Sequence, residues 1–189
     1  MRLFLVRHCE PDSPPGWAVN EAGLTEVGRR QAEATAGHLL HWAEHGHPFT
    51  TLFSSPARRA IETAEAIAVH VGLPVQVDAA YAGAFGPPKR PKLAGRPWDS
   101  EVEALLTEIQ TRAWDAVTRH VEASDEHAAS IIVSHDTTLG ALICAALGMP
   151  VEGMRRFRVD LGSVSILDFT PRGVRLGLLN ETRQLEATS

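Results

Sequence analysis

A short apolar run, Leu3 to Val6, stops at Arg7-His8-Cys9-Glu10, and this junction constrains the fold more than any other stretch of the chain. Consecutive apolar residues bounded by charge read as a strand buried on both faces, the kind found in parallel sheets covered by helices. In open α/β sheets, ligands bind beyond the carboxyl ends of such strands. The junction therefore delivers an arginine and a histidine together to the place where chemistry sits. A nitrogen nucleophile beside a planar, fixed cation suits a phosphate monoester.

The pattern recurs along the chain. Ser130 to Ser134 is another apolar run, and it closes on His135-Asp136. Thr51 to Ser54 is a shorter one leading into Ser55-Pro56-Ala57-Arg58-Arg59, and Val75 to Val77 makes a further strand. Helical patterns separate these runs. One starts near Thr25, which serves as N-cap; a second has Ser55 as N-cap with Pro56 at its first position; a third opens on a capping box of Ser100 and Glu103. Alternating strands and helices predict a three-layer α/β/α sandwich with a mostly parallel central sheet. Two late apolar runs, 163–169 and 174–179, predict a hairpin around Pro171-Arg172-Gly173. The Pro/Gly-rich stretch 11–23 reads as a loop, and residues around 83–100 as a substrate or lid insertion in a single domain spanning 1–189.

Composition narrows the function. At 189 residues, 44% apolar and 22% charged, the chain is long enough for a sizeable core. A net charge of −5 without any basic block argues against nucleic acid as a partner. Arginine rather than lysine makes up nearly all of the 18 basic residues, so an anion site here is expected to be built from guanidinium forks. Cys9 and Cys144 have neither metal nor redox spacing. The N-terminus lacks the pattern of a secretory signal and no run reaches membrane-spanning length, so the expectation is a cytoplasmic protein with no membrane partner. His38, His41 and His45 share a helix face and are read as solvated rather than as a metal site. Trp17, Trp42, Trp98 and Trp114 are read as packing residues, with Trp17 and Trp98 in loops.

Taken together, the blocks resemble a known family. Leu5-Val6-Arg7-His8-Cys9-Glu10 is similar to the Arg-His-Gly signature of the histidine phosphatase superfamily, the group that includes phosphoglycerate mutases. Ser54-Ser55-Pro56-Ala57-Arg58-Arg59-Ala60-Ile61-Glu62-Thr63-Ala64 resembles its second block, and Ile132-Val133-Ser134-His135 its third. Leu24-Thr25-x-x-Gly28-x-x-Gln31-Ala32 and Leu179-Asn180-x-Thr182 match in kind and order. The resemblance covers nearly the whole chain. It implies a phosphoglycerate mutase-like fold and a metal-independent, cofactor-free phosphatase acting on a small phosphorylated substrate or a phosphoprotein, and it fixes no oligomeric state. His8 would be the nucleophile forming a phosphohistidine, while Arg7, Arg59 and His135 would hold the phosphoryl oxygens, with Thr137 adding a contact.

The sequence departs from the family pattern at defined places. Cys9 stands where glycine is usual, and Ala82 where many members carry an acid before a Phe-Gly pair, here Phe85-Gly86. In compensation, His135-Asp136 resembles the His-Asp dipeptide of the acid-phosphatase branch, which makes Asp136 the expected general acid, with Glu10 and Asp78 in reserve. Lys89, Arg90, Lys92 and Arg96 would either draw an anion in or merely solvate a loop. The competing readings are a phosphoglycerate-type mutase and a non-catalytic phospho-ligand binding module, the latter motivated by Ala82 and Cys9. Hydrolysis is favoured over transfer because a mutase must shield its phosphoenzyme from water with covering insertions, and this chain has one modest insertion.

Overall fold

The computed structural model describes residues 1–12, 21–46, 48–84 and 99–186. Six strands form one sheet: β1 (Arg2–Arg7), β2 (Phe49–Ser54), β3 (Val75–Val77), β4 (Ala129–Ser134), β5 (Val164–Thr170) and β6 (Gly173–Glu181). Their order is β3-β2-β4-β1-β5-β6. β3, β2, β4 and β1 run parallel, and β5 and β6 are antiparallel, forming the expected hairpin. Among the described residues, four α-helices cover the sheet: α1 (Glu26–Glu44), α2 (Arg58–Val71), α3 (Ser100–Glu122) and α4 (Asp136–Ala146).

Strand alternation builds the three layers. Successive side chains of β1 point to opposite faces, so Phe4 and Val6 join Ala36, Leu39, Ala64 and Ile67 of α1 and α2 on one side. Leu3 and Leu5 join Ala113, Val117, Leu139 and Ile143 of α3 and α4 on the other. Both faces of β1 and β4 are therefore dry, which is what an unbroken apolar run encodes. Trp42 packs edge-on against Phe4 at 5.6 Å, and Trp114 stacks on Phe169 at 6.1 Å, as packing residues should.

Helix starts follow local chemistry, with two corrections. Thr25 caps α1 as expected, its Oγ1 accepting from the Gly28 N–H at 2.9 Å. The cap of α3 is Asp99 rather than Ser100, its carboxylate accepting from the Val102 N–H at 2.9 Å; aspartate caps as well as serine, and the carboxylate also meets the positive helix end. α2 begins at Arg58 with Ala57 at the cap and no side-chain capping bond. Ser55 does not cap it because its hydroxyl is bonded to His135, across the sheet. Gly72 closes α2 at φ +70°, a left-handed position that suits glycine. No helix among the described residues is long and apolar enough to cross a membrane. Of the insertion expected around 83–100, residues 85–98, with Lys89, Arg90, Lys92, Arg96 and Trp98, lie outside the described residues, as does Trp17.

Candidate active site

The site sits where β1, β4 and β2 end. Register pairs Arg7 with Ser134, so the residues that follow, His8 and His135, emerge side by side. Backbone bonds fix both exits: His8 N–H donates to the Ser134 carbonyl at 2.9 Å, and Ser55 N–H donates to the Val133 carbonyl at 2.9 Å. The two imidazoles lie 5.1 Å apart, edge to face, and both are buried.

Arg59, from the first turn of α2, is buried between them. Its Nε–H donates to His8 Nε2 at 3.1 Å, and its terminal Nη2–H donates to His135 Nδ1 at 3.0 Å. A guanidinium only donates, so both contacted ring nitrogens carry lone pairs. The remaining protons follow: His8 Nδ1–H donates to the Cys9 carbonyl at 2.8 Å, and His135 Nε2–H donates to Ser55 Oγ at 2.8 Å. Burial first, and Arg59 second, push the His8 imidazole down to about 3. Burial, then His8 and Arg59, hold His135 well below the ordinary histidine value. Both rings are thus neutral at physiological pH. Burial also lowers Arg59 to about 10, which still leaves it a cation.

Arg7 lies on the other side of the site. Its Nη1–H donates to the Val159 carbonyl at 2.6 Å, and its Nη2 is 3.5 Å from Asp136 Oδ2. Its Nε is buried with no hydrogen-bond partner among the described residues. Asp136 is the first residue of α4, half-exposed, with Oδ1 accepting from the Thr137 N–H at 2.8 Å. Arg7 and Asp136 line a cavity of about 270 Å³ together with Gly140, Met154, Phe157, Arg158, Val159 and Asp160.

The structure thus brings together His8, Arg7, Arg59, His135 and Asp136. Thr137 is adjacent, but its hydroxyl oxygen accepts from the Ala84 N–H at 3.4 Å and helps fix the neighbouring segment. The reserves Glu10 and Asp78 are engaged elsewhere: Glu10 Oε1 accepts from the Thr25 hydroxyl at 2.6 Å, and Asp78 caps a short 3-10 turn through the Ala80 N–H. Arg58, beside Arg59 in sequence, points outward and pairs with Glu62 at 2.7 Å. His41 and His45 are exposed, with Glu44 alongside, while His38 accepts the Trp42 indole N–H at 3.2 Å.

Three features were not readable from the sequence. Ser55 looks like a helix cap but orients His135. The position that abuts His135 is Gly83, one residue beyond Ala82: a Cβ on Gly83 would lie 2.8 Å from the imidazole Cδ2. The segment carrying it is pinned through its carbonyls, with Arg112 and Thr138 both donating to Ala82 O, at 2.8 and 3.0 Å, and Ser134 Oγ donating to Tyr81 O at 2.7 Å.

The substituted glycine position is accommodated. The Cys9 thiol is buried, and burial pushes it up to about 12, so it stays protonated. Its backbone N–H donates to Thr63 Oγ1 at 3.1 Å, and that hydroxyl donates to the Arg59 carbonyl at 2.8 Å. The block around Thr25 clamps the next residue: Thr25 N–H donates to Glu10 O, Glu10 N–H donates to Gln31 Oε1, and a Cβ on Gly28 would lie 2.2 Å from Glu10 O.

Residues 3–83 and 87–182, which carry the strand-end Arg-His, the helix-start arginine and the second strand-end histidine, match the histidine phosphatase superfamily (branch 1), and the chain belongs to it. It is similar to the serine/threonine-protein phosphatase PGAM5, mitochondrial, of Homo sapiens, at 29% identity over 95% of this chain and 62% of that one. The chain therefore spans under two thirds of that relative's length. It is also 27% identical to the adenosylcobalamin/alpha-ribazole phosphatase of Escherichia coli (strain K12), covering 95% of this chain and 96% of the other. Among solved structures, mycobacterial glucosyl-3-phosphoglycerate phosphatase superposes with a TM-score of 0.76 at 23% identity, covering 96% of this chain and 99% of that one, a likeness of fold.

Proposed function

We propose that this protein is a metal-independent phosphomonoesterase that works through a phosphohistidine on His8. The observation that carries the reading is the bridge of Arg59 between two neutral, buried imidazoles. A nucleophile needs a free lone pair at working pH, and His8 Nε2 has one because Nδ1 spends its proton on the Cys9 carbonyl.

A phosphate monoester entering between Arg7 and Arg59 draws the Arg59 N–H groups onto its non-bridging oxygens, and His8 Nε2 is uncapped. Nε2 then attacks phosphorus in line with the ester oxygen. The new N–P bond forms as the P–O bond breaks, and the departing alkoxide takes a proton from Asp136. Water, deprotonated by the Asp136 carboxylate, attacks the phosphohistidine next, releasing inorganic phosphate and restoring both groups. Arg7 and Arg59 supply the fixed positive charge that a metal would otherwise provide. Ser55 supports His135 in either state, since its hydroxyl accepts from Nε2–H or donates to Nε2. His135 can then turn an Nδ1–H toward phosphate once Arg59 has left it.

The substrate class is a phosphorylated small molecule or a phosphoprotein, as among the relatives' named activities, which belong to those proteins. Hydrolysis is preferred to mutase transfer because a mutase must shield its phosphoenzyme from water. The direct test is phosphate release from p-nitrophenyl phosphate in excess EDTA. Turnover should survive chelation and vanish in His8→Ala. Tight phosphate binding without turnover would favour the binding-module reading instead.

A further inference from the structure

The cavity wall at 157–160 runs into a tight turn that is tied to the end of β1. The Ser163 N–H donates to Asp160 O at 3.0 Å, which closes the turn, and Gly162 takes its left-handed corner at φ 69°. The Gly162 N–H is shared between the Arg7 carbonyl at 3.2 Å and the His8 carbonyl at 3.4 Å. In return the Arg7 N–H donates to Ser163 O at 3.1 Å, and the Arg7 guanidinium to Val159 O at 2.6 Å. Two side chains hold the turn from behind, Thr35 Oγ1 and Gln184 Nε2 donating to Gly162 O at 3.1 and 3.0 Å. Where residues 159–163 sit therefore decides where the Arg7 fork and the His8 backbone sit.

The first residue of this turn is located by an irregularity in β6. Val164 faces Glu181 and Ile166 faces Leu178, so Leu179 and Asn180 together stand opposite the single residue Ser165. This is a β-bulge, which re-aims a side chain. Asn180 has φ 55° and is the one non-glycine with positive φ among the described residues. A left-handed backbone is strained for residues with a Cβ, least so for asparagine and aspartate. Its N–H donates to Ser165 Oγ at 3.0 Å, and its amide meets Asp160 twice. The Asp160 N–H donates to Asn180 Oδ1 at 2.6 Å, and Asn180 Nδ2 donates to Asp160 Oδ2 at 2.8 Å. Strand pairing requires neither the bulge nor the strained angle, and both aim the amide at Asp160. A carboxamide fits there because it offers one acceptor and one donor side by side.

We infer that Asn180 is a positioning residue for the reaction proposed above. By clamping Asp160 it fixes the 159–163 turn, and through that turn it holds Arg7 and His8 in place against Arg59 and His135. This rests on the phosphatase reading. Asn180 touches none of the reacting groups, so its effect reaches them only through the backbone of the turn and the Arg7 bond to Val159 O.

Three substitutions separate placement from stability, with rates read where circular dichroism shows each variant folded. Asn180→Gly keeps the left-handed backbone and removes the amide. Its kcat on p-nitrophenyl phosphate should fall by roughly ten- to a hundredfold, the scale of a slightly misplaced reacting group. Asn180→Asp keeps the acceptor for the Asp160 N–H and sets a second carboxylate against Asp160 Oδ2. Its kcat should be low at pH 8 and recover toward wild type at pH 5, where the two carboxyls share a proton that replaces the lost donor. Arg7 and Asp136 face the same cavity, so each rate is taken relative to wild type at the same pH. Val117→Ala, a core truncation in α3, should lower the melting temperature and keep kcat within about twofold. A lowered melting temperature with unchanged kcat in Asn180→Gly, or an Asn180→Asp deficit equal at both pH values, overturns the inference and leaves the phosphatase standing. Wild type that releases no phosphate removes the phosphatase reading instead. The clamp is then read from hydrogen exchange, which in Asn180→Gly should quicken at the Gly162 and Arg7 amides; unchanged exchange there overturns it.

Discussion

The Nε–H of Arg59 donates to Nε2 of His8 at 3.1 Å, so in the free protein the lone pair of the proposed nucleophile is covered by the group proposed to bind the phosphoryl oxygens. Substrate binding and uncapping of the nucleophile are then one event. A shorter cation cannot span both imidazoles. Arg59→Lys should lower kcat by roughly 10²–10³, the usual cost of losing a transition-state donor. Arg58, whose side chain is 62% exposed, gives the contrast: Arg58→Lys should leave turnover within about twofold. Steady-state rates on p-nitrophenyl phosphate compare the two.

Acid should act on the fold before it acts on the surface. His8 is lowered by burial to about 3, so between about pH 6.5 and 3 the unfolded chain binds a proton at this position that the folded chain refuses, and burial lowers His135 in the same direction. Stability contributed by the neutral rings is fully present above pH 6.5 and is lost as pH falls below it. Denaturant melts at pH 7.5, 6 and 5 would show the slope. Nitrogen NMR should find His8 neutral at pH 5 and protonated on Nδ1; an imidazolium there contradicts the geometry.

Gly83 is required by its neighbour rather than by its backbone angle. Any Cβ meets the His135 ring at 2.8 Å, and the segment cannot retreat while Arg112, Thr138 and Ser134 hold its carbonyls. Gly83→Ala should cost about 1–3 kcal/mol through overpacking and lower kcat by displacing His135. The same change in an Arg112→Met background, where the segment is looser, should cost less stability than it does alone.

The acid role of Asp136 makes a leaving-group prediction. p-Nitrophenolate departs without a proton, whereas an alkoxide needs one. Asp136→Asn should slow alkyl phosphates by roughly 10²–10⁴ and p-nitrophenyl phosphate far less. Equal losses on both would mean that Asp136 serves only to place Arg7.

How much of this was legible beforehand depends on how local each signal was. Leu3–Val6 and Ser130–Ser134 announce buried strands because their two dry faces need apolar residues throughout, and Arg7, His8 and His135 come with them as strand-end residues. Thr25 is readable as a cap because capping involves only the next turn. Ser55 has a cap's sequence context without a cap's role: its hydroxyl is claimed by His135, 80 residues away, and no local pattern records a partner brought in by strand register. The close approach of Gly83 to the His135 ring joins residues 52 positions apart, and no local pattern records it. The wall at 157–160 has neither helical nor strand period, and its meaning comes from Arg7 gripping Val159 O.

Trapping a phosphorylated His8 tests covalent chemistry at this residue without any intervening step. Wild-type protein mixed with ³²P-labelled phosphomonoester, quenched within milliseconds and mapped by mass spectrometry, should carry label on His8 that survives alkali and is lost in acid. His8→Ala should carry none and turn over nothing. Steady phosphate release with no label on His8, or turnover persisting in His8→Ala, would contradict the account.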